Sequence, residues 1–318
     1  MPDKSDSPVA AKRPSALGAW FLAARPKTLP AASIPVVVAL ALAWGDLATG
    51  RVETTSGKFL WIPAICCFLF ALLAQIAANF VNDYADFKKG SDGAERIGPA
   101  RAVASGWIAP KTMLLATFLT LVVACGFGLA TILYGGWKLV FVGALACVFC
   151  LLYSAGPLPL AYIGLGDVLV VSFFGFVAVA FTYFLQAQRI TLDAALVGIA
   201  IGFAVDNILV ANNYRDRDED RANRKFTLIA IFGERFGRYF YLANGLIVVA
   251  LLSFVANRRG DLLNTPTLGA LVVYLALHLS AWRTLAKIRS GPGLVRVLAL
   301  SSRNLVVLGV LLAFALVE

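Results

Sequence analysis

Nine stretches of about twenty mostly apolar residues dominate this chain of 318 residues. They cover approximately residues 28–46, 59–82, 112–134, 136–154, 165–186, 190–211, 237–257, 266–286 and 296–317. A helix needs roughly 20 residues to cross the ~30 Å hydrocarbon core of a bilayer, and only helices or closed barrels satisfy their backbone polar groups there. Charged residues make up 14% of the chain, against about 25% in soluble domains. The chain is therefore predicted to be an all-α, polytopic membrane protein with about nine transmembrane helices.

The basic residues predict an orientation for these helices. Of the 28 Lys and Arg, 21 lie in the N-terminal segment and in the connections after helices 2, 4, 6 and 8, six lie on the other side, and Arg303 is within helix 9. The positive-inside rule makes the richer side cytoplasmic. We expect a cytoplasmic N-terminus and an external C-terminus. Residues 1–16 are predicted to be a polar tail and residues 17–318 a single transmembrane domain.

The histidine and cysteine content argues against several kinds of functional site. His278 is the single histidine, and all five cysteines lie within apolar stretches. These counts argue against a His-ligated metal centre, a His-dependent catalytic triad and a disulfide framework. We expect the cysteines to act as small buried hydrophobic residues.

A polar stripe runs through the end of the second predicted helix. If the helix continues, one face carries five polar side chains: Gln75, Asn79, Asn82, Asp83 and Asp86. Polar groups inside an apolar helix are costly when they face lipid. The stripe therefore predicts a cavity, whereas a solvated helix end with capping residues is the simpler alternative.

A second acidic cluster follows the sixth predicted helix. Asp216 and Asp220 are four residues apart, so they lie on one face, together with Asn213 and the more deeply placed Asp206. Like charges at this spacing repel one another on an isolated helix. A cation between the two carboxylates would turn that repulsion into binding.

The two clusters together predict a magnesium-diphosphate site. Both offer carboxylate and amide oxygens, which favour a hard cation such as Mg²⁺, and Mg²⁺ commonly completes its shell with water and phosphate oxygens. Basic side chains that could bind phosphate surround them: Lys88, Lys89, Arg96, Arg101, Arg215, Arg217, Arg221, Arg224 and Lys225. A charged head with a lipid tail, such as a polyprenyl diphosphate, would fit a cytoplasmic site that opens into a membrane cavity. Mutual pairing of these charges on the surface is the alternative.

Asn82-Asp83-x-x-Asp86 and Asp216-x-x-x-Asp220 resemble the two aspartate motifs of the UbiA superfamily of intramembrane prenyltransferases. Further segments resemble the 1,4-dihydroxy-2-naphthoate polyprenyltransferases of menaquinone synthesis: Arg25-Pro26-Lys27-Thr28-Leu29, Lys89-Gly90-x-Asp92, Glu95-Arg96-Ile97-Gly98-Pro99, Arg101-Ala102-Val103-x-Ser105-Gly106, Tyr153-Ser154-x-Gly156-Pro157, Gly164-Leu165-Gly166-Asp167, Asn212-Asn213-Tyr214-Arg215-Asp216 and Lys225-x-Thr227-Leu228. The resemblance covers essentially the whole chain. It departs from the family pattern at Arg224, where glycine is common, and at Phe226, where a basic residue is usual.

The resemblance implies a fold, an activity and a location. The fold is UbiA-like, with helices around a central cavity. The activity is Mg²⁺-dependent transfer of a polyprenyl group from its diphosphate to 1,4-dihydroxy-2-naphthoate, with loss of carbon dioxide to give demethylmenaquinol. The location is the bacterial cytoplasmic (inner) membrane, with the active-site loops in the cytoplasm. The two substrates are the expected partners; no nucleic acid is expected, and no protein partner can be inferred.

The resemblance also assigns roles to individual residues. The catalytic and metal-binding set is Asp83, Asp86, Asp216 and Asp220, with Tyr153 as a candidate for stabilising an allylic cation through its ring. The substrate-binding set is Lys27, Asn79, Asn82, Asp92, Arg96, Arg101, Asn212, Asn213, Arg215 and Lys225. The role of Asp206 has two interpretations: it orients the hydroxyl of the aromatic acceptor, or it is a neutral, hydrogen-bonded buried acid.

Three alternative functions remain. Another aromatic acceptor, such as 4-hydroxybenzoate or homogentisate, would use the same donor site, although Gly90 and Asp92 in the first motif agree better with the naphthoate branch. A phosphatidyl transferase would also use acidic residues and Mg²⁺, but it usually needs one compact motif. An ion-coupled transporter would place ionisable residues near the bilayer midplane, whereas most of those in this chain cluster at one side.

Overall fold

The computed structural model of the protein describes residues 14–90, 100–153 and 160–317, and all the regular structure in these ranges is helical. The first half contains α1 (Ala16–Ala24), α2 (Pro30–Ala48), α3 (Trp61–Lys89), α4 (Pro110–Ala130), the single turn α5 (Ile132–Gly135) and α6 (Leu139–Leu152). The second half contains α7 (Gly166–Leu169), a π-helical segment (Val170–Val177), α8 (Ala178–Ala187), α9 (Leu192–Ala222), α10 (Leu228–Arg259), α11 (Thr265–Lys287) and α12 (Leu294–Val317). Two 3₁₀ turns, Pro26–Thr28 and Leu160–Tyr162, join helices.

The prediction of a helical, multi-pass membrane protein is confirmed. Eight helical spans in the described ranges are long and apolar enough to cross a bilayer, with α7, the π-helical segment and α8 forming one continuous span, Gly166–Ala187. The predicted fourth helix, 136–154, corresponds to α6, which has only 14 residues. Its length would span about 21 Å, so it is shorter than the other membrane helices. With α6 included, the count agrees with the prediction of about nine.

The structure differs from the sequence prediction at the start of the seventh helix and by the presence of α1. The predicted seventh helix, 237–257, begins at Leu228, and its first turns are separated from the rest by Gly233, whose φ of 84° is not helical. Glycine tolerates this conformation because it has no Cβ. The short helix α1 was not predicted, because a helix of nine residues is too short to be found by a search for membrane-spanning lengths. Its Ala19 and Ala23 are buried, whereas Leu17 and Phe21 are exposed.

The two helices that carry the acidic motifs extend beyond their apolar stretches. The predicted second helix, 59–82, continues to Lys89 in α3, and the predicted sixth, 190–211, continues to Ala222 in α9. The expectation that each motif lies on a continuing helix is therefore confirmed. Each helix thus carries an apolar, membrane-embedded part and a polar end that projects from it, and both ends lie on the same side of the bundle.

The core of the bundle lies around α9. This helix packs against α10, α12 and the π-helical segment, while α2 packs against α8 and α12. The first and last membrane helices are therefore neighbours. Alanine, valine and leucine fill the contacts between them, among them Val38, Leu42, Leu308 and Leu312.

Candidate active site

A cavity of about 460 Å³ lies between α2, α3, α6, the span Gly166–Ala187 and α9. Its lining divides into two regions. The polar region contains the ends of α3 and α9, including Asn82, Asp86, Asn212, Asn213, Asp216 and Asp220. The other region is apolar and rich in aromatic side chains, including Phe70, Phe149, Phe173, Phe174 and Phe181. The predicted cavity is therefore present, and it combines a charged end with a long apolar interior.

Asp86 is the acid of the first motif that faces the cavity. It forms an ion pair with Arg101, which also lines the cavity. Arg101 comes from the segment after α3, and its side chain is 9% exposed. A charge-assisted bond between a carboxylate and a guanidinium is strong and directional. The pair fixes both groups at the charged end of the cavity.

Asp83 faces away from the cavity, although it is only three residues before Asp86. It is 1% exposed, and its two carboxylate oxygens accept backbone N–H groups of Ala102 and Val103, both at 3.0 Å. Asp83 is absent from the cavity lining. Its observed contacts are those of an anchor for the segment that carries Arg101.

The second motif contributes two acids with different partners. Asp216 accepts two hydrogen bonds from Arg215, from Nε and Nη2, both at 2.5 Å. Arg215 is itself buried behind the lining and also donates to Asn212 Oδ1 at 2.8 Å. Asp220 accepts from Lys225 Nζ at 3.0 Å through Oδ1, and its Oδ2 is buried without a hydrogen-bond partner among the described residues.

Lys225 lies in the short connection between α9 and α10. Burial acts to lower the pKa of its ammonium group, but the carboxylates of Asp220, Asp216 and Asp86 outweigh burial and leave that pKa above its usual value. Lys225 is therefore a permanent cation at neutral pH. Lys225 forms an ion pair with Asp220 and interacts electrostatically with Asp216 and Asp86, so the two acidic motifs meet at one end of the cavity.

The oxygens at this end fit a magnesium ion. Asp220 Oδ2 and Asn82 Oδ1 are buried, lack hydrogen-bond donors among the described residues, and belong to residues that line the cavity. Hard cations take such oxygens. Within the described ranges no three acidic, histidine or cysteine side chains form a complete metal site. Incomplete protein ligation is normal for Mg²⁺, which keeps several waters and binds substrate phosphates.

Asn79 connects the polar stripe of α3 to the N-terminal helix. Its Nδ2 donates to Ala24 O at 2.8 Å and to Thr28 Oγ1 at 3.1 Å. Between these two partners, Arg25 has a left-handed backbone with a φ of 50°. The chain turns there so that Arg25 lines the cavity, whereas Lys27 is exposed and outside the lining.

Most of the predicted site residues meet at the cavity. Those that line it are Tyr153, Asn79, Asn82, Asp86, Arg101, Asn212, Asn213, Asp216, Asp220 and Lys225. Three predicted residues are outside the lining: Lys27, Asp83 and Arg215. Asp92 and Arg96 lie outside the described residues. The lining also includes three charged residues to which the sequence assigned no role: Arg25, Asp167 and Glu219. Arg25 and Asp167 both lie in segments that resemble the family's motifs, and that resemblance could have identified them as site residues.

Comparison with known proteins gives one matching family model and several similar chains. The model of the UbiA prenyltransferase family matches residues 32–292. The chain is 35% identical to the 1,4-dihydroxy-2-naphthoate octaprenyltransferase of Escherichia coli over 244 residues, covering 74% of this chain and 76% of that protein. It is 33% identical to the protein of the same name from Mycobacterium leprae over 301 residues, covering 93% and 95%.

Solved structures show the same fold at low sequence identity. A UbiA homolog from Archaeoglobus fulgidus bound to GPP and Mg²⁺ superposes with a TM-score of 0.61 at 12% identity, covering 94% of this chain and 99% of that one. A UbiA homolog from Aeropyrum pernix K1 in its apo form gives a TM-score of 0.62 at 15% identity, covering 87% and 96%. These likenesses concern the fold of the helices around the cavity.

Proposed function

The chain belongs to the UbiA prenyltransferase family, and from this premise we propose that it transfers a polyprenyl group from a polyprenyl diphosphate to 1,4-dihydroxy-2-naphthoate. The products are diphosphate, carbon dioxide and demethylmenaquinol, which places the enzyme in menaquinone biosynthesis. The relatives named for this reaction cover most of the chain at 33–36% identity. The observation in the structure that carries the proposal is the cavity itself, with paired acids and bases at one end and aromatic walls beyond them.

The donor diphosphate is proposed to bind at the charged end. Lys225 and Arg101 supply cationic donors there, and Asp86, Asp216 and Asp220 supply the carboxylates. These three acids, together with Asn82, would hold Mg²⁺, in line with the buried, unpartnered oxygens of Asp220 and Asn82 and with the metal in the A. fulgidus homolog. When bound, Mg²⁺ would neutralise negative charge on the departing diphosphate.

The residues around the charged end prepare the donor for cleavage of its C–O bond. Lys225 and Arg101 stabilise the charge that grows on the diphosphate oxygens in the transition state. The tail extends along the apolar lining, where phenylalanine rings exclude water. Tyr153 and Phe173, which both line the cavity, present aromatic faces to the developing allylic cation, which would otherwise react with solvent.

The acceptor then attacks from within the same cavity. The electron-rich ring reacts at the carbon that carries the carboxylate, and carbon dioxide leaves. Arg25 and Asn79 line the cavity close to α1, and we propose that this side receives the polar groups of the acceptor. Holding ring and cation within about 3–3.5 Å of one another is the principal contribution of the protein to this step.

We also propose a placement for the chain in the cell. The protein is a multi-pass membrane protein, and the bacterial inner membrane, with the N-terminus and the charged end of the cavity in the cytoplasm, follows from the distribution of Lys and Arg. Residues 17–318 are proposed to form one domain, which the packing of α2 against α12 supports.

Product analysis with purified protein tests the proposed function. The protein, Mg²⁺ and geranylgeranyl diphosphate are incubated with 1,4-dihydroxy-2-naphthoate, 4-hydroxybenzoate or homogentisate in turn. We expect a prenylated naphthohydroquinone, with carbon dioxide and diphosphate released in equal amounts. Prenylation of 4-hydroxybenzoate without any reaction of the naphthoate would refute the acceptor assignment, and no diphosphate release with any acceptor would refute the enzyme class.

Lys225→Ala tests the donor site. The substitution removes a cation that lines the cavity and pairs with Asp220, so it should raise the KM for the prenyl diphosphate about 10- to 100-fold, as expected for loss of a charged hydrogen bond. The KM for the naphthoate should change much less. Lys111→Ala is the matched control, because Lys111 is exposed at the start of α4 and outside the cavity lining. Equal changes in both KM values would contradict the assignment.

A further inference from the structure

Two buried carboxyl groups on different helices lie close enough to interact with one another. They belong to Asp167 in α7 and Asp206 in α9, and they are 4% and 1% exposed. Asn244 Nδ2 donates to Asp206 Oδ2 at 2.8 Å. The Oδ1 atoms of both acids have no donor among the described residues. Two ionised carboxylates this close in an apolar interior would repel one another, and a single proton shared between them would remove that repulsion.

The pair lies at the wall of the cavity, deeper than the charged end. Asp167 is part of the lining, whereas Asp206 lies behind it. Asp206 precedes Asp216 by ten residues of α9, which corresponds to about 15 Å along the helix axis. Tyr153 also lines the cavity and interacts electrostatically with Asp220 and with both acids of the pair. Asp167 therefore faces the cavity at a level deeper than the proposed diphosphate site.

Close helix packing holds the two acids together. Gly202 lies one turn before Asp206, and Val171 lies one turn after Asp167. A Cβ atom added to Gly202 would come within 2.7 Å of Val171 O and 3.1 Å of Gly175 Cα. The π-helical segment Val170–Val177 begins at this contact, and such segments are frequent at functional sites. Only glycine at position 202 lets the helices approach closely enough for the carboxyl groups to meet.

We propose that the Asp167–Asp206 pair is the proton acceptor for the ring hydroxyl of the aromatic substrate. This inference rests on the proposed function. As the ring carbon bonds to the prenyl carbon, the O–H bond of the adjacent hydroxyl breaks, its electrons form a ring ketone, and its proton passes to Asp167. As the C–CO₂ bond breaks, its electrons restore the aromatic ring and the proton returns to the same oxygen. The pair ends each cycle with the single proton it began with.

The geometry assigns unequal tasks to the two acids. Asp167 is the catalytic residue, because it faces the substrate. Asp206 is a positioning residue that holds Asp167 through the shared proton and is itself held by Asn244. A merely structural pair would tolerate either amide equally, since an Asp–Asn pair keeps the hydrogen bond and the single charge.

Asp167→Asn and Asp206→Asn, each near-isosteric, test this assignment. Asp167→Asn should lower kcat for naphthoate prenylation by about 100-fold or more, the usual contribution of general acid–base catalysis, with little change in the KM for geranylgeranyl diphosphate. Asp206→Asn should cost about tenfold, because its amide mimics the protonated acid and Asp167 keeps its carboxylate. Asp193→Asn is the matched control, since Asp193 lies at the start of α9 and pairs with Arg258 outside the cavity.

A second substrate makes the test independent of folding. The 1-methyl ether of the naphthoate has no proton to give, so the unaltered protein should prenylate it about 100-fold more slowly than the parent compound, and Asp167→Asn should add no further loss. Equal rates for both substrates in the unaltered protein, or a folded Asp167→Asn variant within threefold of its normal rate, would overturn the proposal. Either result would leave the proposed function standing, because product formation from the parent naphthoate measures that function separately.

Discussion

Asp220→Asn is expected to lower the rate of diphosphate release about 10²- to 10³-fold at ordinary Mg²⁺ concentration. Asp220 Oδ1 accepts from Lys225, and an asparagine carbonyl can keep that bond. Its Oδ2 has no partner among the described residues, and the substitution replaces this oxygen by an NH₂ group that cannot bind a cation. The thermal unfolding temperature should change little, and raising Mg²⁺ should recover part of the rate.

Asp218→Asn provides the matched control for this measurement. Asp218 lies on the same helix, two residues earlier, and its side chain is 72% exposed with Arg217 as a distant partner at 3.6 Å. We expect this variant to have the same rate and the same Mg²⁺ dependence as the unaltered protein. Full activity of Asp220→Asn at ordinary Mg²⁺ would exclude Asp220 as a metal ligand.

Asp83→Asn is expected to abolish turnover for a different reason, through the loss of a backbone anchor. Both oxygens of Asp83 accept backbone N–H groups, and an asparagine would place its own NH₂ against one of these donors. A buried donor left unpaired costs about 1–3 kcal/mol. The segment that presents Arg101 to Asp86 should loosen, so the unfolding temperature and the rate should both fall.

The Mg²⁺ dependence separates Asp83 from the acids at the cavity. Additional Mg²⁺ should restore none of the activity of Asp83→Asn, in contrast to Asp220→Asn. Asp86→Asn is the informative comparison, because Asp86 is on the same helix and faces the cavity; it should resemble Asp220→Asn in its Mg²⁺ dependence. A stable Asp83→Asn protein whose activity returns with Mg²⁺ would restore Asp83 to the metal ligands.

The helical architecture could be predicted from the sequence because bilayer thickness constrains it so strongly. A run of about twenty apolar residues has few alternatives to a membrane helix, and the continuous polar faces of α3 and α9 require a cavity. The chemical character of the charged end also follows from residue type, since carboxylates, amides and guanidinium groups select hard cations and phosphate. The search for membrane-spanning lengths missed α1, which has only nine residues. It also predicted a longer helix than the 14-residue α6, which is shorter than a full span.

The partners of each side chain were decided only by the tertiary structure. Helical periodicity places Asp83 and Asp86 three residues apart near one face, but it does not reveal that the backbone of Ala102 and Val103 approaches Asp83 alone. The left-handed turn at Arg25 brings Arg25 into the cavity lining and leaves Lys27, a predicted substrate-binding residue, outside it. The contact between Asp167 and Asp206 joins residues far apart in the chain and depends on glycine packing between their helices. Periodicity is a property of one helix, whereas burial, ion pairing and a shared proton are properties of two surfaces in contact. The sequence alone therefore determined which segments cross the membrane and what chemistry they carry, and the packing of the helices decided which of those groups can meet a substrate.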